Sequence, residues 1–451
     1  MTRPLRPAAP PLLGIVSSAL ILGGALCGPA RAETRVRVLL ETAPALSFSA
    51  SSPVTIYALG SGRRLGVLPE GEALRFRAAE GYIHWAGGAS AENLRLRPRG
   101  SLFRLGRRRF RGSLDIVRRR GRLRAVNVAG VEDYLRGVLP REMPSRFPIE
   151  ALKAQAVAAR TFILWRRGEK GEAPGTKGSE GKIARATAQS ADVSTQVYGG
   201  ADGETPPANR AVAETSGEIL TFAGELAQTY FHASSPGRTE EKTAVFGGSR
   251  LPYLRSVPSF GDSAQPRFRW THRVSLARLS RRLSAAGRGV GEVHTASIEE
   301  RSPSGRVRAL RVWGTGGSVI LWAGDLRRLL GWGAIRSAYF DMEQTSSALF
   351  FHGAGSGHGV GMSQWGARAM ALNGKGYREI LAHYFPGTRL ERPGPEAAKA
   401  APAPEANGAP EEEAMPAGEA ASGEEAAPGE SPSPLPGGIG DIIEQAEQGG
   451  K

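Results

Sequence analysis

One stretch constrains this 451-residue chain more than any other: Pro148–Trp165, read as a single helix with small alanines among the residues of its inner face. Pro148 suits a first helical turn and Glu150 complements its positive dipole end. Arg166 and Arg167 favour the last turn, and Gly168 stops the helix. Ile149, Leu152, Ala156, Ala159 and Ile163 fall on one face. Small side chains there admit other elements closely, so the helix is expected at the centre of the fold.

The segments before it read differently. Val36–Leu40, Val54–Leu59 and Ala73–Arg77 alternate or run apolar between Gly, Pro and Ser, as strands do. Arg120-Gly121-Arg122 reads as a hairpin turn between Leu114–Val117 and Leu123–Val126. Ten arginines and one acid, Asp115, fall within residues 104–124; they fit a basic sheet face or a solvated edge that resists aggregation. A second helix is expected from Ser363, whose hydroxyl would cap it, to Asn373-Gly374. The fold class expected is α+β: mostly antiparallel strands with a few helices around a substrate cleft, a β-rich N-terminal region and a disordered C-terminal tail.

Charge divides the chain further. The net +16 comprises +3 on residues 1–32, −10 on residues 393–451, and therefore +23 on the body between them. Arg3 and Arg6 precede an apolar run from Leu12 to Leu26, followed by Ala30-Arg31-Ala32, the pattern of a cleaved export signal. Cys27, the only cysteine, would leave with it. Disulfides, cysteine metal sites and thiol nucleophiles would leave with it too. An extracytoplasmic location, in periplasm or cell wall, follows as an expectation and argues against a nucleic-acid partner, which the basic body alone would suggest. Membrane attachment would come only through an uncleaved signal anchor. Residues 168–190 read as a surface loop. After Pro393 the Ala/Pro/Glu-rich sequence has too few apolar residues to fold alone. The domain division expected is 1–32 signal peptide, 33–125 β-rich region, 126–392 a domain carrying the candidate chemistry and 393–451 tail.

Two places carry candidate chemistry. Glu142 lies in Leu139-Pro140-Arg141-Glu142-Met143-Pro144, one short turn before the long helix. Two prolines fix the backbone there, and Leu139, Met143 and Phe147 supply the apolar surroundings that keep a carboxyl protonated for general acid work; a capping or ion-pairing role is the alternative. The other place is the glycine-rich run Phe351–Gly366. It lacks the Gly-Lys-Ser/Thr of a phosphate loop, and His352 and His358 are six apart, without metal-site spacing. No cofactor or metal is expected.

Taken together, Val131–Pro144, Glu150–Thr161, Gln196–Gly200, Ala211–Gly217, Pro252–Leu254, Gly357–Ala367 and Ile380–Thr388 resemble, in order, the stage II sporulation protein D (SpoIID/LytB) family. The resemblance covers roughly residues 126–390. It implies cell-wall chemistry by a peptidoglycan lytic transglycosylase, with Glu142 aligned to the family's catalytic glutamate and acting first as acid and then as base. The product would be a 1,6-anhydro sugar from the MurNAc-GlcNAc glycan strand. The alternative is a non-catalytic wall-binding enhancer of an N-acetylmuramoyl amidase, and a third reading is a polyanion-binding protein. Candidate substrate contacts are His358, Ser363, Gln364 and Trp365, with Ser234, Ser235 and Tyr198 from neighbouring motifs. One departure stands out: Pro236 occupies a position where relatives commonly carry glycine, so the loop cannot take a positive φ there.

Overall fold

The computed structural model describes residues 34–86, 90–100, 102–169 and 198–392. The expected signal peptide with Cys27, the loop over 168–190 from residue 170 onward, and the acidic tail lie outside the described residues. What is described is α+β with antiparallel sheets.

The first half is a sandwich of two six-stranded sheets. One has the order β1 (Arg35–Ala43), β12 (Arg122–Gly130), β11 (Ser113–Arg119), β8 (Asn93–Pro98), β3 (Val54–Ala58) and β4 (Arg64–Leu68). The other runs β10 (Arg108–Arg111), β9 (Leu102–Leu105), β2 (Ala45–Ala50), β5 (Ala73–Ala79), β6 (Tyr82–His84) and β7 (Ser90–Ala91). Alternation puts Leu94, Leu96, Leu114 and Ile116 of the first against Leu46, Phe48, Phe76 and Phe103 of the second. The β11–β12 turn forms as its sequence predicts. Arg120 and Gly121 have φ of 49° and 73°, the left-handed pair that a two-residue hairpin turn requires.

The structure corrects the idea of one arginine-rich face over 104–124. Arg104–Arg111 belong to the β9–β10 hairpin of one sheet, and Arg118–Arg124 to the β11–β12 hairpin of the other. Arg109 and Arg111 are moreover paired with Asp202 and Glu204, each at 2.6 Å. The break expected near residue 125 falls inside β12, which leads directly into a helix, α1 (Val131–Glu142).

The long helix, α2 (Ile149–Glu169), is central because its alanines let two cores share it. Ala151, Leu152, Ala156, Ala159 and Ile163 join the α1 core. Ala154, Val157 and Ala158 join another, with Tyr253, Leu254, Ile380 and Phe385. Beyond it, two three-stranded antiparallel sheets, β16 (Arg269–Ser275) with β21 (Ala348–Ala354) and β20 (Phe340–Gln344), and β17 (Val293–Arg301) with β18 (Val307–Gly314) and β19 (Gly317–Trp322), enclose their own core around Leu279, Leu310, Leu326 and Phe351. No helix among the described residues is long and apolar enough to cross a membrane.

Candidate functional site

Glu142 is the last residue of α1, not part of an irregular turn. Pro140 sits inside that helix's final turn. It reads as a breaker because it gives no N–H to the ladder, and the helix ends two residues later. The Met143 amide closes the end by donating to the Leu139 carbonyl at 3.0 Å. The chain then turns through Pro144, where the Phe147 amide donates to the Pro144 carbonyl at 2.9 Å, and enters α2. Glu142 itself is half-buried, with Met143 and Phe147 buried beside it.

On the inner side of α1, burial and then the nearby charge of Glu142 push the Tyr134 phenol well above its ordinary value. Tyr198 lies against Tyr134, with ring centroids 5.2 Å apart, and against Phe110 at 5.9 Å. Its hydroxyl donates to Asn127 Oδ1 at 2.9 Å, and Asn127 Nδ2 donates to the carbonyls of Arg111 (2.8 Å) and Ser113 (3.1 Å). Tyr198 thus ties the sandwich to α1 and has its hydroxyl engaged internally.

The other candidates converge on a buried knot between two loops. The short strand β15 (Phe231–His232) runs parallel to β22 (Met362–Ser363), pairing His232 with Ser363. His232 Nδ1–H donates to the Val360 carbonyl at 3.1 Å, which leaves Nε2 of the neutral ring to accept the Ser235 hydroxyl at 2.5 Å. Burial first, then the neighbouring His358 and Arg306, hold the His232 pKa well below its usual value. His358 is pushed down to about 3 by burial and the charges of Arg327 and Arg306, although the Phe231 backbone opposes this; its Nδ1 accepts the Val360 amide at 3.1 Å.

Acids complete the knot. Asp262 accepts the Ser235 amide at 2.7 Å, the Ser259 hydroxyl at 2.7 Å and the Ser363 hydroxyl. Burial raises its pKa against the pull of those three bonds. Ser363 also caps the helix Gln364–Leu372, as its sequence predicts, accepting the Gly366 amide at 3.3 Å. Ser234 donates to Gln265. Arg306 donates to Ser235 Oγ at 3.1 Å and to Ser304 Oγ at 2.8 Å, and Ser304 donates to Glu240 at 2.7 Å. The series Ser235–His232–Val360 carbonyl has the order of a nucleophile, base and orienting group. Ser235 is 0% exposed, however, so its geometry locks loops rather than meeting substrate.

Pro236 fits this loop because the positive φ lies one residue on, at Gly237 (φ 80°). Gly355 leaves room for the proline ring, whose Cδ stands 2.8 Å from where a Cβ on residue 355 would be.

Trp365 joins the knot to the α1–α2 corner. Its amide donates to the Ala233 carbonyl at 3.0 Å. Its ring, 5% exposed, meets Phe147 edge-on at 5.0 Å, and the Arg368 guanidinium lies 5.2 Å from its centroid. Gln364 is buried in the same helical turn. The structure therefore brings Ser234, Ser235, His358, Ser363 and Trp365 together as a packed support for the Glu142 corner. His232, Asp262, Arg306 and Gln265 belong to it and were not singled out from sequence. His232 adjoins the Ser234-Ser235 motif, a local signal; Asp262 and Arg306 arrive from distant loops and have none. Among the described residues, no group of three or more His, Cys, Asp or Glu is arranged to hold a metal ion.

A family model described as stage II sporulation protein matches residues 119–222, which include the Glu142 corner. A model described as a domain of unknown function matches residues 241–361. The chain is 32% identical over 275 residues to stage II sporulation protein D of Bacillus subtilis (strain 168), covering 58% of this chain and 74% of that protein. It is 33% identical over 285 residues to an uncharacterized protein of Brachyspira hyodysenteriae, covering 62% and 72% respectively. It is also 30% identical over 304 residues to the amidase enhancer of Bacillus subtilis, covering 57% of this chain and 40% of that protein.

Proposed function

This chain belongs to the stage II sporulation protein D family, and from that premise we propose that it acts on the cell wall as a peptidoglycan lytic transglycosylase with Glu142 as its single acid and base. The observation that carries the reading is the placement of Glu142 at the C-terminal end of α1, half-buried beside Met143 and Phe147. Glu142 gives its proton to the glycosidic oxygen as the C1–O bond breaks. The resulting carboxylate then takes the proton of the muramic 6-hydroxyl as that oxygen bonds to C1. The ring closes without water, and the carboxyl is restored. Because the nucleophile is the sugar's own hydroxyl, the carboxylate pair of ordinary glycoside hydrolysis is not required. Export to the periplasm or wall is part of this proposal.

The test is digestion of peptidoglycan freed of stem peptides, with mass spectrometry for 1,6-anhydro-muramic products. Wild type should release them and Glu142→Gln should not. Absence of product from both would reject the reading.

The second reading is a wall-binding amidase enhancer, favoured by the 30% identity to a protein of that name and by the burial of Ser234, Ser235, Ser363 and Trp365, which leaves them little surface for a glycan. It expects Glu142→Gln to stimulate a wall amidase as well as wild type does.

A further inference from the structure

The sheet β1-β12-β11-β8-β3-β4 turns one face to the sandwich core; its other face is buried along β11 and β12 and exposed toward β8, β3 and β4, at Arg97, Arg64 and Val67. Strand registers align the outward side chains: Asp115 lies opposite Arg95, Arg95 opposite Tyr57, Tyr57 opposite Arg64, and Arg97 opposite Thr55. Asp115, 0% exposed, sits at the centre. It takes Arg37 at 2.7 Å, and both Nε (2.7 Å) and a terminal nitrogen (2.8 Å) of Arg95.

Two guanidiniums on one carboxylate leave a positive charge over, and the buried anchor fixes where both forks stand. Arg64 and Arg97, both exposed, flank them without an ion pair among the described residues. At the end of the same sheet Arg119 stands directly opposite Arg122, a like-charge pairing that costs stability in a ladder. Sheet stability alone does not call for this arrangement.

We propose that this outward face binds a linear polyol-phosphate polymer, with Arg64, Arg95 and Arg97 holding phosphates and Arg37 adding its charge beside them. Every cation named is arginine, whose planar fork matches phosphate oxygens. A tetrahedral phosphate offers oxygens to several forks at once, and the one carboxylate on this face, Asp115, is already filled by Arg37 and Arg95. Arg95 and Arg97 are two residues apart on one strand, roughly 6.6 Å, a repeat that an extended phosphodiester chain can follow. Tyr57, Thr55 and the exposed Val67 lie between and beside them and offer apolar and hydroxyl contacts to the polyol units. This binding uses no atom of the Glu142 corner, so it stands or falls separately from the catalytic reading.

The experiment titrates the full chain with purified poly(glycerol phosphate) at 50 and 200 mM salt. It compares wild type with Arg64→Gln/Arg97→Gln and with Arg281→Gln/Arg282→Gln, an equal charge change on the helix Leu276–Ala285. The face variant should bind about ten-fold more weakly at low salt. Its dependence of log affinity on log salt should flatten by about 1.4, at about 0.7 per lost phosphate contact. The control should stay within about two-fold of wild type. An unchanged face variant, or equal loss in the control, overturns the proposal. So does tighter binding of polyglutamate at matched charge, which would give the face to carboxylates such as those of the chain's own acidic tail, and so does tighter binding of single-stranded DNA.

Discussion

The indole of Trp365 meets the ring of Phe147 edge-on, with centroids 5.0 Å apart. Phe147 lies five residues beyond Glu142, so this contact sets the α1–α2 corner against the glycine-rich loop. Trp365→Ala should cost about 3–5 kcal/mol of stability, the range for an aromatic lost from a core, and Trp365→Phe considerably less. Chemical denaturation measures both. A sugar-stacking tryptophan would give the reverse pattern, with stability kept and glycan affinity lost.

The histidines of the knot make stability depend on pH. His358 has its pKa pushed down to about 3, and His232 lies well below the ordinary 6.5. Between these values the unfolded chain binds more protons than the folded one. Their contribution is therefore fully present above about pH 6.5 and is lost as pH falls toward 3, by at most about 1.4 kcal/mol per pH unit for each ring. Asp262, raised by burial, acts in the opposite sense at lower pH. Unfolding free energies measured from pH 7 to pH 4 should fall steeply for wild type and more gently for His232→Gln/His358→Gln. The slope is the readout, whatever the variant's absolute stability; equal slopes would mean that the rings are not held neutral.

What could be read from sequence follows the range of the interactions. The α2 helix, the Arg120-Gly121 turn and the Ser363 cap are decided within a few residues and form as local chemistry directs, except that α2 runs through Gly168, the expected stop, to Glu169. Glu142 was visible as a candidate but not as a helix end, because Pro140 reads locally as a breaker while tertiary packing of Leu135, Val138 and Leu139 holds the final turn. The knot was illegible as a network. Asp262 meets Ser363 across 101 positions, and Arg306 meets Ser235 across 71; no spacing rule connects such pairs. Trp365 illustrates the same limit, since an aromatic in a glycine-rich loop suits a ligand platform or a core plug equally until its neighbours are known.

Arg160 and Glu132 test how far buried charge holds α2 in place. Arg160 is 1% exposed and clasps Glu132 at 2.9 and 2.7 Å while donating to the Glu218 carbonyl at 3.1 Å. Arg160→Leu should cost about 1–3 kcal/mol, because the buried Glu218 carbonyl loses a donor while the Glu132 carboxylate, 30% exposed, keeps water and the Gly217 amide. The double variant Arg160→Leu/Glu132→Leu should recover part of that loss. A double-mutant cycle on unfolding free energy decides it, and additive losses would show that the pair contributes no coupling.

Gly361 offers the sharpest test of how the two loops are joined. Its φ is 71°, and a Cβ built there would stand 2.1 Å from the Tyr230 carbonyl oxygen. That oxygen cannot simply withdraw, because it accepts the Met362 amide at 3.0 Å where β15 and β22 begin to pair. Gly62 is the control: its φ of 69° is nearly the same, but nothing lies within 4 Å of its would-be Cβ. Gly62→Ala pays only for the left-handed backbone, about 1–2 kcal/mol. Gly361→Ala adds overpacking of about 1–3 kcal/mol and should open the β15–β22 pairing. Thermal unfolding of the two variants should therefore separate by several degrees, with amide exchange at Met362 accelerated in Gly361→Ala alone. Equal midpoints would mean that the approach of the two loops at Tyr230 is looser than 2.1 Å implies.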